Sequence, residues 1–316
     1  MMDTFLVLTP GPYTTVQDKG RIGFQNMGIP LSGALDAFSY RIANLLVGNP
    51  EGSAALEITI LGPQLAVIKE ADVALTGAEI EMKLNFKPVE HWKSIHVEPG
   101  DLLSIQTVKS GCRGYLSVTG GIAIPKVMGS RSTYVGGKMG GYKGRPLRKG
   151  DVVQSGQGKL IDSPRCLPES WIPRYSGNTL VRAIPGPQDD FFEEGLSTLF
   201  GSEYMVTAKA DRMGYRLQGP AIKHKAGVPK SIISEPTMPG GIQVPADNQP
   251  IILLTEQTVG GYTKIATAIS TDLSRIAQTT PGDTIQFEKI TLEEAHRIHE
   301  DRQKHMREIA RLLADQ

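Results

Sequence analysis

Pro281-Gly282-Asp283-Thr284-Ile285-Gln286-Phe287 is the stretch that decides the fold class. A Pro-Gly-Asp turn feeds a run in which apolar Ile285 and Phe287 alternate with polar Thr284 and Gln286, the period of a half-buried strand. The same punctuation stands at Pro99-Gly100-Asp101 and Lys149-Gly150-Asp151, each ahead of another short β-type run. Outward from these turns, Leu56-Glu57-Ile58-Thr59-Ile60, Ala71-Asp72-Val73-Ala74-Leu75 and Tyr115-Leu116-Ser117-Val118 read the same way, and 35 glycines with 21 prolines supply many turns. The body is therefore expected to be mainly β, with few helices.

Two segments break the pattern. Over residues 34–47, Leu35, Phe38, Ile42, Leu45 and Leu46 recur at three- and four-residue spacing ahead of Gly48, which predicts an amphipathic helix. Thr291-Leu292-Glu293-Glu294 matches a capping box, and Leu292, Ala295, Ile298, Met306, Ile309, Leu312 and Leu313 form an apolar stripe behind it. Prolines 164, 168 and 173 mark a linker. The expected organisation is an N-terminal β-rich domain (1–163), a linker (164–177), a second barrel domain (178–290) and a C-terminal helix (291–316). Gly120-Gly121 precedes Gly140-Gly141 by the same spacing as Gly240-Gly241 precedes Gly260-Gly261, which suggests a duplicated barrel.

Composition and motifs exclude several functions. With 40 % hydrophobic residues and 21 % charged residues, the chain can bury a sizeable core. Its 34 basic and 33 acidic side chains leave a formal charge of +1, so neither nucleic acid nor an anionic membrane is an expected partner. Phe5-Leu6-Val7-Leu8 is too short for a signal segment, and Cys112 and Cys166 form no Cys-x-x-Cys, so a cytoplasmic location is expected. Gly137-Lys138 lacks the flanking residues of a nucleotide loop, and no Gly-x-Ser-x-Gly is present. His299-Glu300 is followed by Gln303 where a metal motif needs histidine, so no metal is expected.

Three segments carry chemistry. Gln17, Asp18 and Arg21, with Ser32 and Asp36 near the first helix start, could receive an anion at a helix N-terminus, or they could merely cap and pair. The glycine-rich stretch from Gly129 to Arg145 concentrates Arg131, Lys138, Lys143 and Arg145. In the third, Gln243 and Gln257 offer paired donors and acceptors suited to an amide or ureido group, beside Gly260, Gly261, Tyr262 and Lys264.

These residues also carry a resemblance. Thr15-Val16-Gln17-Asp18, Ser32-Gly33-Ala34, Gly129-Ser130-Arg131-Ser132-Thr133, Gly186-Pro187-Gln188-Asp189, Asp211-Arg212-Met213-Gly214-Tyr215-Arg216, Gln243-Val244-Pro245 and Gln257-Thr258-Val259-Gly260-Gly261-Tyr262 occur in order. The chain resembles the biotin-dependent carboxyltransferase-like family, also called the allophanate hydrolase subunit 2 family. Glu256 stands where that family's pattern has a shorter acidic residue, and Thr263 where it has proline. The resemblance implies two cyclophilin-like β-barrel domains. It implies a subunit of an ATP-dependent 5-oxoprolinase that opens 5-oxoproline to L-glutamate with A and B subunits, the B-like one most directly, and that is inactive alone. Arg131, Arg212, Gln243 and Gln257 are then the expected catalytic residues. Gln17, Asp18, Arg21, Ser32, Asp36, Gly260, Gly261, Tyr262 and Lys264 are the expected substrate-binding ones. ATP is expected as the complex's nucleotide. The alternatives are a biotin-dependent carboxyltransferase acting on a urea-like substrate, and a regulatory protein that binds a kinase-inhibitor-like partner.

Overall fold

The computed structural model describes residues 1–316. They form two compact units, one of residues 1–22, 32–175 and 306–316, the other of residues 23–31 and 176–305.

The first unit carries nine strands: β1 (Met2–Thr9), β2 (Tyr13–Gln17), β3 (Ala55–Thr59), β4 (Gln64–Val67), β5 (Ala71–Leu84), β6 (Lys87–Val89), β7 (Ser94–Val97), β8 (Leu102–Val118) and β9 (Val152–Ser155). They run in the order β2-β3-β8-β4-β1-β9, with β5 added along β8 and carrying β6 and β7, and the sheet curls without closing. Alternate residues such as Phe5, Val7, Leu56, Ile58, Leu103, Ile105 and Val153 turn inward to one apolar core. Helix α1 (Ala37–Leu46) packs on β5 and β8.

The second unit holds β10 (Asn178–Pro185), α2 (Gly195–Phe200), β11 (Glu203–Ala210), β12 (Gly214–Gln218), β13 (Ser231–Pro236), β14 (Gly241–Val244), β15 (Ile251–Leu253), β16 (Val259–Ala268), α3 (Leu273–Ile276) and β17 (Thr284–Lys289). Here the order β10-β17-β11-β12-β15-β14-β16 returns to β10 through Ala183 opposite Ala268, closing a barrel of seven strands. Val181, Tyr204, Val206, Tyr215, Leu217, Ile242, Ile252, Ile265 and Phe287 are buried in this unit. The mainly β expectation holds in both units.

The recurrent turn has one physical explanation at all three sites. Gly100, Gly150 and Gly282 sit at φ +98°, +85° and +99°, a conformation that costs glycine nothing. Each glycine N–H donates to the carbonyl of a buried valine on a neighbouring strand, Val67, Val7 or Val206, at 2.8–2.9 Å. That valine's N–H returns a bond to the following aspartate carbonyl at 2.8–2.9 Å. The carboxylates of Asp101, Asp151 and Asp283 then accept from the N–H three residues upstream, at 2.7–2.8 Å. The Gly-Gly spacing has no such meaning. Gly120, Gly121, Gly140 and Gly141 make left-handed turns in loops, whereas Gly241 begins β14 and Gly260-Gly261 lie inside β16.

Helix α1 starts later than its periodicity predicts, because its N-cap is Asp36, whose carboxylate accepts from Ser39 N–H at 3.1 Å and Ser39 Oγ at 2.6 Å. At the other end of the chain, helix α4 (Leu292–Ala314) opens on the expected capping box, with Thr291 Oγ1 accepting from Glu294 N–H and Glu294 returning the bond to Thr291 N–H. Its Met306, Ile309 and Leu313 join Phe38, Ile42, Leu46, Trp92 and Leu167 in a second core of the first unit. Residues 189–200 form a 3-10 turn (Asp189–Phe191) followed by α2. No helix is long and apolar enough to cross a membrane.

One surface corner is pH-sensitive. His96 lies between Asp72, 3.0 Å from Nδ1, and Glu70, 3.1 Å from Nε2. The hydrogen bond to Asp72 raises the imidazole above its ordinary value of 6.5, outweighing the opposite effect of burial. Because the folded-state value is the higher one, this contribution to stability is complete below the ordinary histidine range and disappears as pH rises through the raised value. Thermal melts across that window should show Tm falling with pH in the native chain. The fall should be shallower in His96→Asn, and equal slopes would contradict the assignment.

Candidate functional site

The residues singled out by sequence fall into two groups. In the first unit, the loop after β2 meets the loop at residues 129–133. Asp18 is the hub: its Oδ1 accepts from Ser130 Oγ and Ser132 Oγ, both at 2.6 Å, and from Gly20 N–H at 2.9 Å. Its Oδ2 accepts from Arg131 N–H at 2.6 Å. Arg21, 1 % exposed, donates to the carbonyls of Val127 and Ser132, and Arg131 Nε donates to Ile124 O. The Gln17 amide donates to Thr15 Oγ1 and Thr133 O and accepts from Gly33 N–H. Ser32 is buried at φ +53°.

A second polar knot surrounds the start of α1. Tyr115 OH donates to Glu57 Oε2 at 2.8 Å and accepts from Asp36 N–H at 2.8 Å. Burial, and then the Glu57 carboxylate, hold that phenol well above its ordinary pKa, so it remains a donor. In the glycine-rich loop, Arg145 grips Asp151 with two nitrogens at 2.7 and 2.8 Å, and Lys143 and Arg145 lie over the Tyr142 ring. Burial pushes Asp151 up, but Arg145 and the Arg148 N–H outweigh it and hold the carboxyl below its usual range. The basic character of this stretch is therefore partly spent on the loop's own structure.

Of the second group, Gln243, Gln257 and Tyr262 line a pocket of about 470 Å³ in the second unit, with the end of β11, β12 and Ile251 and Leu253 of β15, whereas Arg212, Gly260, Gly261 and Lys264 lie outside its lining. Gln243 is 2 % exposed, and its Nε2 has no hydrogen-bond partner. A buried donor left unmade costs about 1–3 kcal/mol, so such an atom invites an acceptor from outside the protein. Lys209, Asp211 and Arg216 bring charge of both signs to the wall, and Tyr262 is 42 % exposed there.

Neighbouring elements shape that wall. Arg212 Nε donates to Glu256 Oε1 at 2.5 Å, both residues buried, and Glu256 N–H returns to Arg212 O at 3.1 Å. Asp211 Oδ1 accepts from the N–H groups of Met213 and Gly214, folding the turn into β12. Lys264 pairs with Glu235, while its backbone exchanges bonds with Gln188, which accounts for the Gly186-Pro187-Gln188 motif. A Cβ on Gly260 would lie 2.4 Å from Gln243 Nε2, so a larger residue there must displace that amide. At Gly261 a Cβ would lie 3.2 Å from Ile232 O and 3.3 Å from Ser234 Oγ, tight but accommodated by a small shift.

Sequence reading missed Gln25, whose Nε2 donates to the carbonyls of Thr237 and Thr258 beside this pocket. Only its amide in a glycine-broken loop hinted at a role. Lys209 was missed as well, since an exposed lysine on a strand carries no signal of its own.

Residues 27–289 match the family described as carboxyltransferase domain, subdomain A and B. A relative from Escherichia coli (strain K12), the C subunit of 5-oxoprolinase, is 39 % identical over 308 residues, covering 96 % of this chain and 97 % of its own length. Urea amidolyase from Lachancea kluyveri is 36 % identical over 94 % of this chain but only 17 % of its own length. The crystal structure of K. lactis urea amidolyase superposes with a TM-score of 0.91 at 35 % identity, covering 98 % of this chain and 20 % of that one.

Proposed function

The chain belongs to the family of the carboxyltransferase domain, subdomains A and B, and on that premise we propose that it is the C-type subunit of an ATP-dependent 5-oxoprolinase. The observation that carries this reading is the buried, unpartnered Gln243 amide at the wall of the second unit's pocket. A lactam presents one carbonyl and one N–H on the same edge. Gln243 Nε2 donates to the carbonyl, and Gln257, on the same wall, meets the N–H through its side-chain oxygen. Lys209 and Arg216 take the ring's carboxylate, and Tyr262 covers its apolar face.

Donation to the carbonyl oxygen is worth more as charge develops on it, so this geometry favours opening of the ring as well as binding. The overall reaction adds water across the lactam C–N bond to give glutamate while ATP becomes ADP and phosphate. The nucleotide is assigned to a partner subunit. In this chain the Tyr134–Arg145 loop uses its N–H groups on its own turns, Tyr134 with Met139 and Gly144 with Gly140, rather than cradling phosphates. Arg212, Gly260, Gly261 and Lys264 shape the pocket. Gln17, Asp18, Arg21, Ser32, Asp36 and Arg131 build the loops of the first unit.

A second reading rests on the urea amidolyase relatives: a ureido ring offers the same carbonyl and N–H edge, so a biotin-dependent carboxyltransferase acting on a urea-like compound could use the same glutamines. Reconstitution with purified A- and B-type subunits decides between them. Glutamate formed from 5-oxoproline and ATP, with no retention of the chain on immobilised biotin, supports the first. Retention on biotin without glutamate release supports the second.

A further inference from the structure

Residues 23–31 group with the second unit although their neighbours Ile22 and Ser32 belong to the first. Their one regular feature is a 3-10 turn (Gln25–Met27) closed by Gly28 at φ +75°, whose N–H returns to Gln25 O. A surface loop of this kind needs no internal partner for its side chains, yet the Gln25 amide is half-buried and used twice. Both hydrogens of Nε2 are spent on backbone carbonyls, Thr237 O and Thr258 O, the latter at 3.0 Å. Those two residues are themselves joined, Thr237 N–H to Thr258 O at 3.0 Å. One side-chain amide thus pins the chain leaving β13 to the chain entering β16.

That clasp lies directly upstream of the backbone that approaches Gln243. Gly260 follows Thr258 by two residues, and a Cβ on it would meet Gln243 Nε2 at 2.4 Å and Thr237 Cγ2 at 3.1 Å. The Gly260 backbone is therefore the stop against which the Gln243 amide rests. The geometry points to Gln25 as a positioning residue: by fixing Thr237 and Thr258 it sets the height of Gly260 and, through it, the direction of the Gln243 donor. Few other side chains can take its place. Asparagine is a methylene too short, and glutamate would turn a carboxylate towards two carbonyl oxygens.

The inference rests on the pocket being the lactam site, but its test separates the two. In the full chain labelled with 15N in glutamine side chains, the Gln243 NH2 signal is the one lost in Gln243→Leu. It is expected to move or broaden in Gln25→Ala and Gln25→Asn, and to stay in place when exposed Gln157 is replaced by alanine. In the reconstituted assembly, Gln25→Ala is expected to lower kcat about tenfold with KM for 5-oxoproline within about twofold, the pattern of a donor misaimed in the transition state, while the variant assembles to the native extent, which a lost fold would not allow. Gln25→Asn, which keeps the amide and the loop backbone, guards against a variant that does not fold. A Gln243 signal unchanged in both variants overturns the positioning role. A wild-type assembly that releases no glutamate overturns the functional reading instead, and the spectra still decide the role of Gln25.

Discussion

Gln243→Leu should make the protein more stable and the assembly nearly inactive. The side chain is buried with its Nε2 unpartnered, so an apolar replacement of similar size removes a desolvation penalty and forfeits no donated bond. A gain of roughly 1–2 kcal/mol in unfolding free energy follows from that penalty. Activity moves the other way, because the lost donor is the one aimed at the lactam oxygen. Loss of a single such donor costs about 100-fold in turnover. Denaturant melts of the chain and glutamate release by the assembly measure the two effects. A variant that loses stability and activity together would mean that Gln243 is an ordinary core residue whose amide has a role in packing.

Asp18→Ala should be the most damaging change outside the pocket. Four donors converge on this carboxylate, from Gly20, Ser130, Arg131 and Ser132, in a site where Asp18 is 7 % exposed. Without it, two backbone N–H groups and two hydroxyls lose their acceptor where little water reaches them. Charge-assisted bonds of this kind make the loss about 3–5 kcal/mol, a large share of the stability of a domain. Asp18→Asn should recover only part of it, since an amide has one acceptor oxygen and turns its NH2 towards donors. Urea midpoints of the three proteins check this, and an alanine variant within about 0.5 kcal/mol of the native chain, the range of an ordinary surface change, would contradict the hub.

Local rules made much of the fold legible. The Gly-Asp turns were readable because glycine's positive φ, the aspartate cap and the following strand all lie within seven residues, and the C-terminal capping box lies within four. The start of α1 was displaced by three residues because periodicity cannot distinguish a helical leucine at 35 from one held by Leu35 N–H to Glu57 Oε2, a partner 22 residues away. Identical Gly-Gly spacing was misleading because glycine serves both left-handed turns and close strand contacts, and spacing does not separate them.

At the candidate site the readable part was chemical type. Gln243 and Gln257 stand out as amides among glycines, and both line one pocket. What a sequence cannot convey is which polar groups are already satisfied. Asp18 and Gln243 look equally ready for a ligand as letters, yet one accepts four protein bonds and the other has an idle donor. Gln25 lies more than 200 positions from both carbonyls it holds, so no local pattern could have linked them.

Glutamate release from 5-oxoproline and ATP by the purified A- and B-type subunits, with this chain supplied, omitted, or supplied as Gln243→Leu, measures whether the chain and its Gln243 donor are needed for turnover. Sustained release is expected only with the native chain, none from the chain alone, and no recovery with the leucine variant beyond about one part in a hundred. Full turnover by the other two subunits without this chain would contradict that expectation.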